Sequence, residues 1–216
     1  MPSFACQDCG ETFELPQATL DKYPGWEPKL CRKHSRSRSS GTKAPGSRRS
    51  RRTSAREENL TVAEVLQKYT DGPGEGIFTD GSSVPNPGPG GWGVVWVEGG
   101  EVRASRHGYD PETTNNRMEL TALIEAYRLL PEDAVVTLYT DSRLCVDTIT
   151  QWAPGWEKKG WKKKGGEIKN LELVQELLAL SRAHPNCTLE WIAAHAGNRW
   201  NEYADSLAMA WRRETV

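Results

Sequence analysis

Four carboxylates and one imidazole stand where a plain hydrophobic core would not put them. Asp80 closes the apolar run Gly76-Ile77-Phe78-Thr79-Asp80, and Asp141 closes AVVTLYT (134–140) before Ser142. Glu119 shares a helical stripe with Ala122, Leu123, Ala126 and Leu130, the stripe that faces a sheet. Glutamate is almost never buried without a partner. Asp205 shares a face of the last helical segment with Asn201, Ala208 and Met209. Singly, an Asp after a strand is a turn residue or a helix cap. Jointly, they fit a sheet edge where the carboxyl ends of parallel strands gather and ligands bind. Carboxylates meeting there raise one another's pKa unless cations neutralise them. All-oxygen ligands select hard ions, Mg²⁺ or Mn²⁺. Two such ions about 3.5–4 Å apart can activate a water and stabilise the leaving oxygen of a phosphodiester. His195 lies in a loop of small residues, AAHAGN, ten positions before Asp205, where it could move a proton for that reaction.

A second ligand pattern lies near residue 1. Cys6-x2-Cys9 and Cys31-x2-His34, separated by 21 residues, have the spacing of a tetrahedral Zn²⁺ site. A unit of 34 residues is too small to fold without such a staple. Cys145 and Cys187 bring the cysteines to five, an odd number that argues against a disulfide framework. A reducing compartment, the cytoplasm, is the expected setting.

The elements that must position these residues follow from composition and periodicity. Net charge is −1, but residues 1–56 carry 12 Lys/Arg against 5 Asp/Glu, and residues 57–216 carry 16 against 24. The result is a +7 front and a −8 body: an arm suited to polyanions, joined to a unit suited to cations. Four segments are expected: a zinc-ribbon-like module (1–34), a disordered Ser/Arg-rich linker (35–56), a connecting helix (57–72) and a catalytic α/β domain (73–216). The linker has seven Ser, seven Arg and no aliphatic side chain larger than Ala, so it cannot bury a core. In the connecting helix, Asn59 is the expected N-cap.

Beyond it, strands are expected at Gly76–Asp80, WGVVWV, GEVRASRHG, 134–140 and Thr188–Ile192. Helices are expected at Thr114–Leu130, Ser142–Gln151, Asn170–Arg182 and Arg199–Arg213. That order implies a mixed five-stranded sheet, antiparallel first and then crossing over. No stretch approaches about 18 uncharged apolar residues, so no membrane span is expected. The first residues lack the basic and apolar regions of a secretory signal.

The motifs TDGSSVPNPGPGGWG, TTNNRMEL, YTDS, the Trp/Lys-rich stretch 152–164 and HAGNRWNEYAD resemble, in order and without a gap, ribonuclease H of type 1, the bacterial HI class. The resemblance covers about residues 75–213. It implies a ribonuclease H-like fold, a monomeric endonuclease and cleavage of the RNA strand of RNA–DNA hybrids to 5′-phosphate and 3′-hydroxyl ends. It matches Asp80, Glu119, Asp141 and Asp205 to the Mg²⁺-binding carboxylates, and His195 to the loop histidine. Asn86, Asn115 and Asn116 match minor-groove contacts, and Thr114 and Asn170 match a pocket for a DNA-strand phosphate.

Amides that reach 2′-hydroxyls would recognise RNA without sequence preference. Trp152, Trp156 and Trp161 stand among Lys158, Lys159, Lys162, Lys163, Lys164 and Lys169, a basic clamp for phosphates and sugar faces. After Asp141-Ser142 the family often has Gln, whereas this chain has Arg143, which would either add a phosphate contact or alter minor-groove preference. Two rival classes remain: a binding module on an inactive nuclease fold, which the four carboxylates weigh against, and an integrase- or resolvase-like enzyme, which the NNRME segment and the basic stretch weigh against.

Overall fold

The computed structural model describes residues 2–7, 9–21, 27–29, 31 and 59–214. His34 and the basic run 35–56 lie outside them. The chain divides into two units, 1–56 and 57–216.

In the first unit, β1 (Ser3–Ala5) and β2 (Thr12–Glu14) form an antiparallel hairpin, with α1 (Gln17–Leu20) after it. Phe4 and Phe13 face each other across the hairpin. A pair of three-residue strands is far below what stands alone in water.

The second unit opens with α2 (Val62–Lys68). Its N-cap is Thr61 rather than the expected Asn59. Thr61 and Glu64 close a reciprocal capping box that satisfies two backbone donors, whereas the Asn59 amide oxygen meets Arg213 instead. β3 (Gly76–Ser83), β4 (Gly88–Glu98), β5 (Glu101–Thr113), β6 (Thr137–Thr140) and β7 (Thr188–Trp191) build one sheet in the order β5-β4-β3-β6-β7. β3 pairs antiparallel with β4 and parallel with β6. Centrally placed, β3 is buried on both faces, which is why it reads as a continuous apolar run.

α3 (Asn115–Leu129) and α6 (Leu171–Ala183) cover one face, packing Leu123, Tyr127, Val174 and Leu177 around Ile77 and Leu138. α7 (Arg199–Ala208) and α2 cover the other, packing Val65, Trp200, Tyr203 and Leu207 around Phe78, Val95 and Val97. Neighbours Ile77 and Phe78 thus face opposite layers, as the strand's period of two requires. Val65 is fully enclosed, and burying such a side chain contributes about 1.5–3 kcal/mol.

Three other expectations shift. β6 begins at Thr137 rather than 134, because Ala134 turns back to Pro131 and Val135 is exposed. The helix expected to stop at Gln151 continues through α4 (Arg143–Asp147), a π-helical turn (Thr148–Trp152) and α5 (Ala153–Lys158). Pro154 does not break it, because the wide turn before it already releases the i−4 hydrogen bond. The last helix breaks at Met209–Ala210 before α8 (Trp211–Glu214).

Candidate active site

The carboxylate site is assembled by register. Thr79 pairs with Thr140 on the parallel strand, so Asp80 and Asp141, one step further on each chain, emerge side by side. Asp80 does not end its strand as expected; β3 runs on to Ser83, and Gly93 on β4 is its cross-strand partner. Two glycines let helices close on this point. A Cβ on Gly81 would lie 2.2 Å from the Glu119 backbone nitrogen, so α3 rests directly on β3 and delivers Glu119. A Cβ on Gly93 would lie 2.3 Å from the Ala204 carbonyl, so α7 rests on β4 and delivers Asp205. Any larger residue would push a carboxylate-bearing helix off the sheet.

Carboxylate oxygens of Asp80, Glu119 and Asp141 lie within 4.8 Å of one another. Asp205 groups at the same limit with His195 and Glu202, forming a second triad beside the first. Burial, then the negative charges of Glu119, Asp141 and Asp205, holds the Asp80 carboxyl well above its ordinary range. Burial, followed by Asp141 and Asp205, does the same to Glu119. Burial also raises Asp141, against a hydrogen bond from Asn201 and the nearby His195. The Glu119 Oε2 atom is buried without a hydrogen-bond partner. Crowded, desolvated carboxylates with an orphaned oxygen fit a hard divalent cation, which would supply the missing ligation and cancel the repulsion.

Asn201 is fully buried and donates through Nδ2 to Asp141 Oδ2 at 3.5 Å. Trp191 Nε1 donates to the Asp141 carbonyl at 3.0 Å. His195 sits on an exposed loop with φ +47°, its Nδ1 3.8 Å from Glu202 Oε2. Asn201 and Glu202 are not among the residues singled out from sequence. Both lie within one turn of Asp205, and that i+3 and i+4 spacing is the signal that could have found them.

The remaining candidates form two groups. At the start of α3, Thr114 caps the helix by accepting from Arg117 N–H, and Asn115 Oδ1 accepts from Ser83 N–H at 2.6 Å. Asn86 Oδ1 accepts from Asn115 N–H at 3.3 Å. Asn86 and Asn115 therefore use their side-chain oxygens inside the protein, and what they can offer a ligand is N–H. Asn116 is exposed. Asn170, in the left-handed region at φ +53°, accepts from Arg117 Nη1 at 3.4 Å; Arg117, which also pairs with Glu172, thus links the Thr114 and Asn170 ends and is a further residue missed from sequence.

On the basic side, Trp152 is exposed, while Trp156 and Trp161 are half-buried against the core. Trp152 and Trp156 rings lie 6.0 Å apart, and Lys163 Nζ sits 5.9 Å from the Trp156 ring. Lys158, Lys159 and Lys162 are exposed. Arg143 lies over the Trp191 ring at 5.6 Å, with its Nε 3.5 Å from Asp147. Cys145, beneath this region, is an inert thiol: burial, then Glu119, pushes it up to about 12.

In the first unit, sulfurs of Cys6, Cys9 and Cys31 lie within 4.8 Å of one another. Cys31 N–H donates to Cys6 Sγ at 3.3 Å, and no disulfide joins them.

Residues 73–212 match the RNase H family. The chain belongs to that family. A ribonuclease H of Agrobacterium fabrum is 50% identical over 133 residues, 61% of this chain and 90% of that protein. One from Rhizobium etli is 49% identical over 133 residues, 61% of this chain and 87% of its own length. The crystal structure of LC9-RNase H1, described as a type 1 RNase H with the type 2 active-site motif, superposes with a TM-score of 0.53. It is 32% identical and covers 68% of this chain and 76% of that one. As a ribonuclease H, the protein is a hydrolase: an endonuclease acting on the RNA strand of RNA–DNA hybrids. Ribonucleases H typically use divalent metal ions, for which the carboxylate cluster provides a fitting ligand set. Among the described residues, no helix is long and apolar enough to cross a membrane.

Proposed function

We propose that this ribonuclease H hydrolyses the RNA strand by a two-metal mechanism, leaving 5′-phosphate and 3′-hydroxyl ends. The observation that carries the reading is the convergence of Asp80, Glu119 and Asp141 oxygens within 4.8 Å, with Asp205 on the adjoining helix. Two Mg²⁺ ions, or Mn²⁺ in their place, bound there would activate a water and stabilise the leaving oxygen. Asp80 and Glu119, whose carboxyls are desolvated by burial, would hold the ions. Asn201 orients Asp141 through its 3.5 Å hydrogen bond. His195, exposed and 3.8 Å from Glu202, carries a proton between solvent and the reacting oxygens.

Asn86, Asn115 and Asn116 donate to the hybrid's minor groove. Thr114 and Asn170 hold a DNA-strand phosphate. Trp152, Trp156, Trp161, Lys158, Lys159 and Lys162 clamp the flanking backbone, and Arg143 adds a phosphate contact beside Asp141. In the cell such an activity removes RNA primers and R-loops, and the enzyme acts as a cytoplasmic monomer.

The N-terminal unit is read as a zinc-ribbon-like module (1–34), with Cys6, Cys9, Cys31 and His34 as ligands. It is followed by a basic Ser/Arg-rich arm (35–56), a connecting helix (57–72) and the catalytic domain (73–216). The arm's basic residues hold long nucleic acid near the domain. Digestion of an end-labelled hybrid with Mg²⁺, followed by end-group analysis, tests the chemistry; 5′-hydroxyl products would overturn it. Deleting residues 1–56 should flatten the salt dependence of long-hybrid binding, by about 0.9 in log–log slope for each phosphate the arm had neutralised. Unchanged slopes would remove the arm from substrate binding.

A further inference from the structure

Residues 59–72 precede the part of the chain that matches the family, yet they are built into the catalytic unit. α2 runs alongside α7 and is fastened at both ends. At one end, Ser206 Oγ donates to the Leu60 carbonyl at 2.7 Å and Arg213 Nη1 donates to the same carbonyl at 2.9 Å. In the middle, Val65 is buried among Phe78, Trp200 and Tyr203. At the other end the chain leaves the helix at Tyr69 in extended conformation and runs along the loop that holds His195.

The contacts there are specific. A helix begins with backbone N–H groups that have no partner inside it. In α7, Asn198 Oδ1 accepts from the N–H groups of Trp200 and Asn201 at 3.1 and 3.2 Å. The Arg199 N–H is taken by the Asp71 carbonyl at 2.7 Å, from outside the helix and outside the family match. Gly72 packs on the Asn198 side chain, where an added Cβ would meet Oδ1 at 3.1 Å. Tyr69 faces Gly197 across a narrow gap, its Cδ1 4.0 Å from where a Cβ on that glycine would stand. Tyr69 and Ile192 both pack on the core cluster beneath α7. The 193–198 loop is short, glycine-containing and largely exposed, and it holds His195 at φ +47°, a left-handed state uncommon for a residue other than glycine.

We propose that residues 59–72 are a strap that sets the conformation of the 193–198 loop, with Val65 as its anchor and Tyr69 and the Asp71 carbonyl as its grip, making Tyr69 a positioning residue for His195. The strap holds the end of α7 from which Asn201 and Glu202 reach the carboxylate site. Loosening it changes where the imidazole sits and leaves the hybrid-binding surfaces on α3 and α5 as they are. The proposal rests on the reading of His195 as the proton carrier.

The test uses the full-length protein and four forms: Tyr69→Ala, Tyr69→Phe, His195→Ala, and Tyr69→Ala with His195→Ala. Tyr69→Ala should lower kcat about tenfold, the scale of a small misplacement of a catalytic group, with KM for the hybrid within about twofold. Tyr69→Phe, which keeps the ring on the core cluster facing Gly197, should restore kcat. In the His195→Ala background, Tyr69→Ala should cost nothing further, because the group it positions is gone. Amide hydrogen exchange should quicken over 195–199 and not in β3 or α3. A kcat loss that multiplies with that of His195→Ala would overturn the proposal, as would wild-type kcat with unchanged loop exchange. Should His195→Ala turn over like wild type, the reading of His195 fails. Loop exchange in Tyr69→Ala then decides alone: faster exchange upholds the strap, and unchanged exchange removes it.

Discussion

The carboxylate cluster and the cysteine cluster solve opposite problems. Asp80, Glu119 and Asp141 are forced together by a completed core, by strand register and by two glycines that let helices touch the sheet. The fold exists first, and the charges are held against their mutual repulsion. Cys6, Cys9 and Cys31 converge in a unit whose secondary structure, among the described residues, amounts to two three-residue strands and a four-residue helix. On the proposed zinc-ribbon reading, a bound metal would supply the cohesion that so little secondary structure does not. A cation at the first site would relieve a stress the fold created; a cation at the second, as proposed, would help create the fold. Hard oxygen ligands suit the former and soft thiolates the latter.

The comparison is most sharply broken at Asp80. Asp80→Asn should drop hybrid cleavage by more than about 10³-fold, the upper range for losing one element of transition-state charge stabilisation, while hybrid binding is kept or tightened. Near-wild-type turnover in Mg²⁺ would show that the cluster is structural. His195→Ala should slow kcat by about 10²- to 10⁴-fold, the range of a positioned acid–base group, and leave residual turnover above that of Asp80→Asn. A loss equal to that of Asp80→Asn in a folded protein would make His195 a ligand instead.

Stability gives a smaller, signed effect. Asp80, Glu119 and Asp141 are raised in the fold, so the folded state binds their protons more tightly than the unfolded chain does. Their stabilisation is full below the ordinary carboxylate range, near about pH 4, and is lost as pH rises through their raised values. Mg²⁺ should therefore raise Tm more at about pH 8 than at about pH 5. Metal-free Asp80→Asn should melt above metal-free wild type at the higher pH, by about 2–4 °C for each kcal/mol of repulsion removed. Calorimetry showing an equal Mg²⁺ effect at both pH values would mean the carboxylates do not repel as described.

The smallest effect is expected across the two units. Cys9→Ser should abolish a stoichiometric zinc, read by elemental analysis, and release the first unit's amides in hydrogen exchange. Cleavage of short hybrids should stay within about twofold, as for independent sites. A catalytic loss tracking zinc loss would show that the two metal sites are one system.

Chain order and residue type determined much of this. The apolar run ending near Asp80, the Glu119 stripe and the alternation of strands and helices reported burial directly, because local periodicity records which side of an element meets the core. Spacing marked Cys6, Cys9, Cys31 and His34 as a candidate ligand set, of which the three sulfurs come together among the described residues. Competition between residues in contact was not legible. Thr61 took the cap from Asn59 because Glu64 could answer it and Arg213, far along the chain, claimed the asparagine. The wide turn at Thr148–Trp152 carried the helix past Pro154, and Trp152 emerged exposed while Trp156 and Trp161 turned inward. Spacing put Asn201 and Glu202 within a turn of Asp205, but only the laying of α7 on Gly93 brought them to the carboxylates, and Arg117 carries no signature until α6 arrives to receive it. The connecting segment read only as a helix with a stop after it. That Asp71 completes the first turn of a helix far along the chain, beside His195, follows from packing alone, because a hydrogen bond between distant segments leaves no period in either.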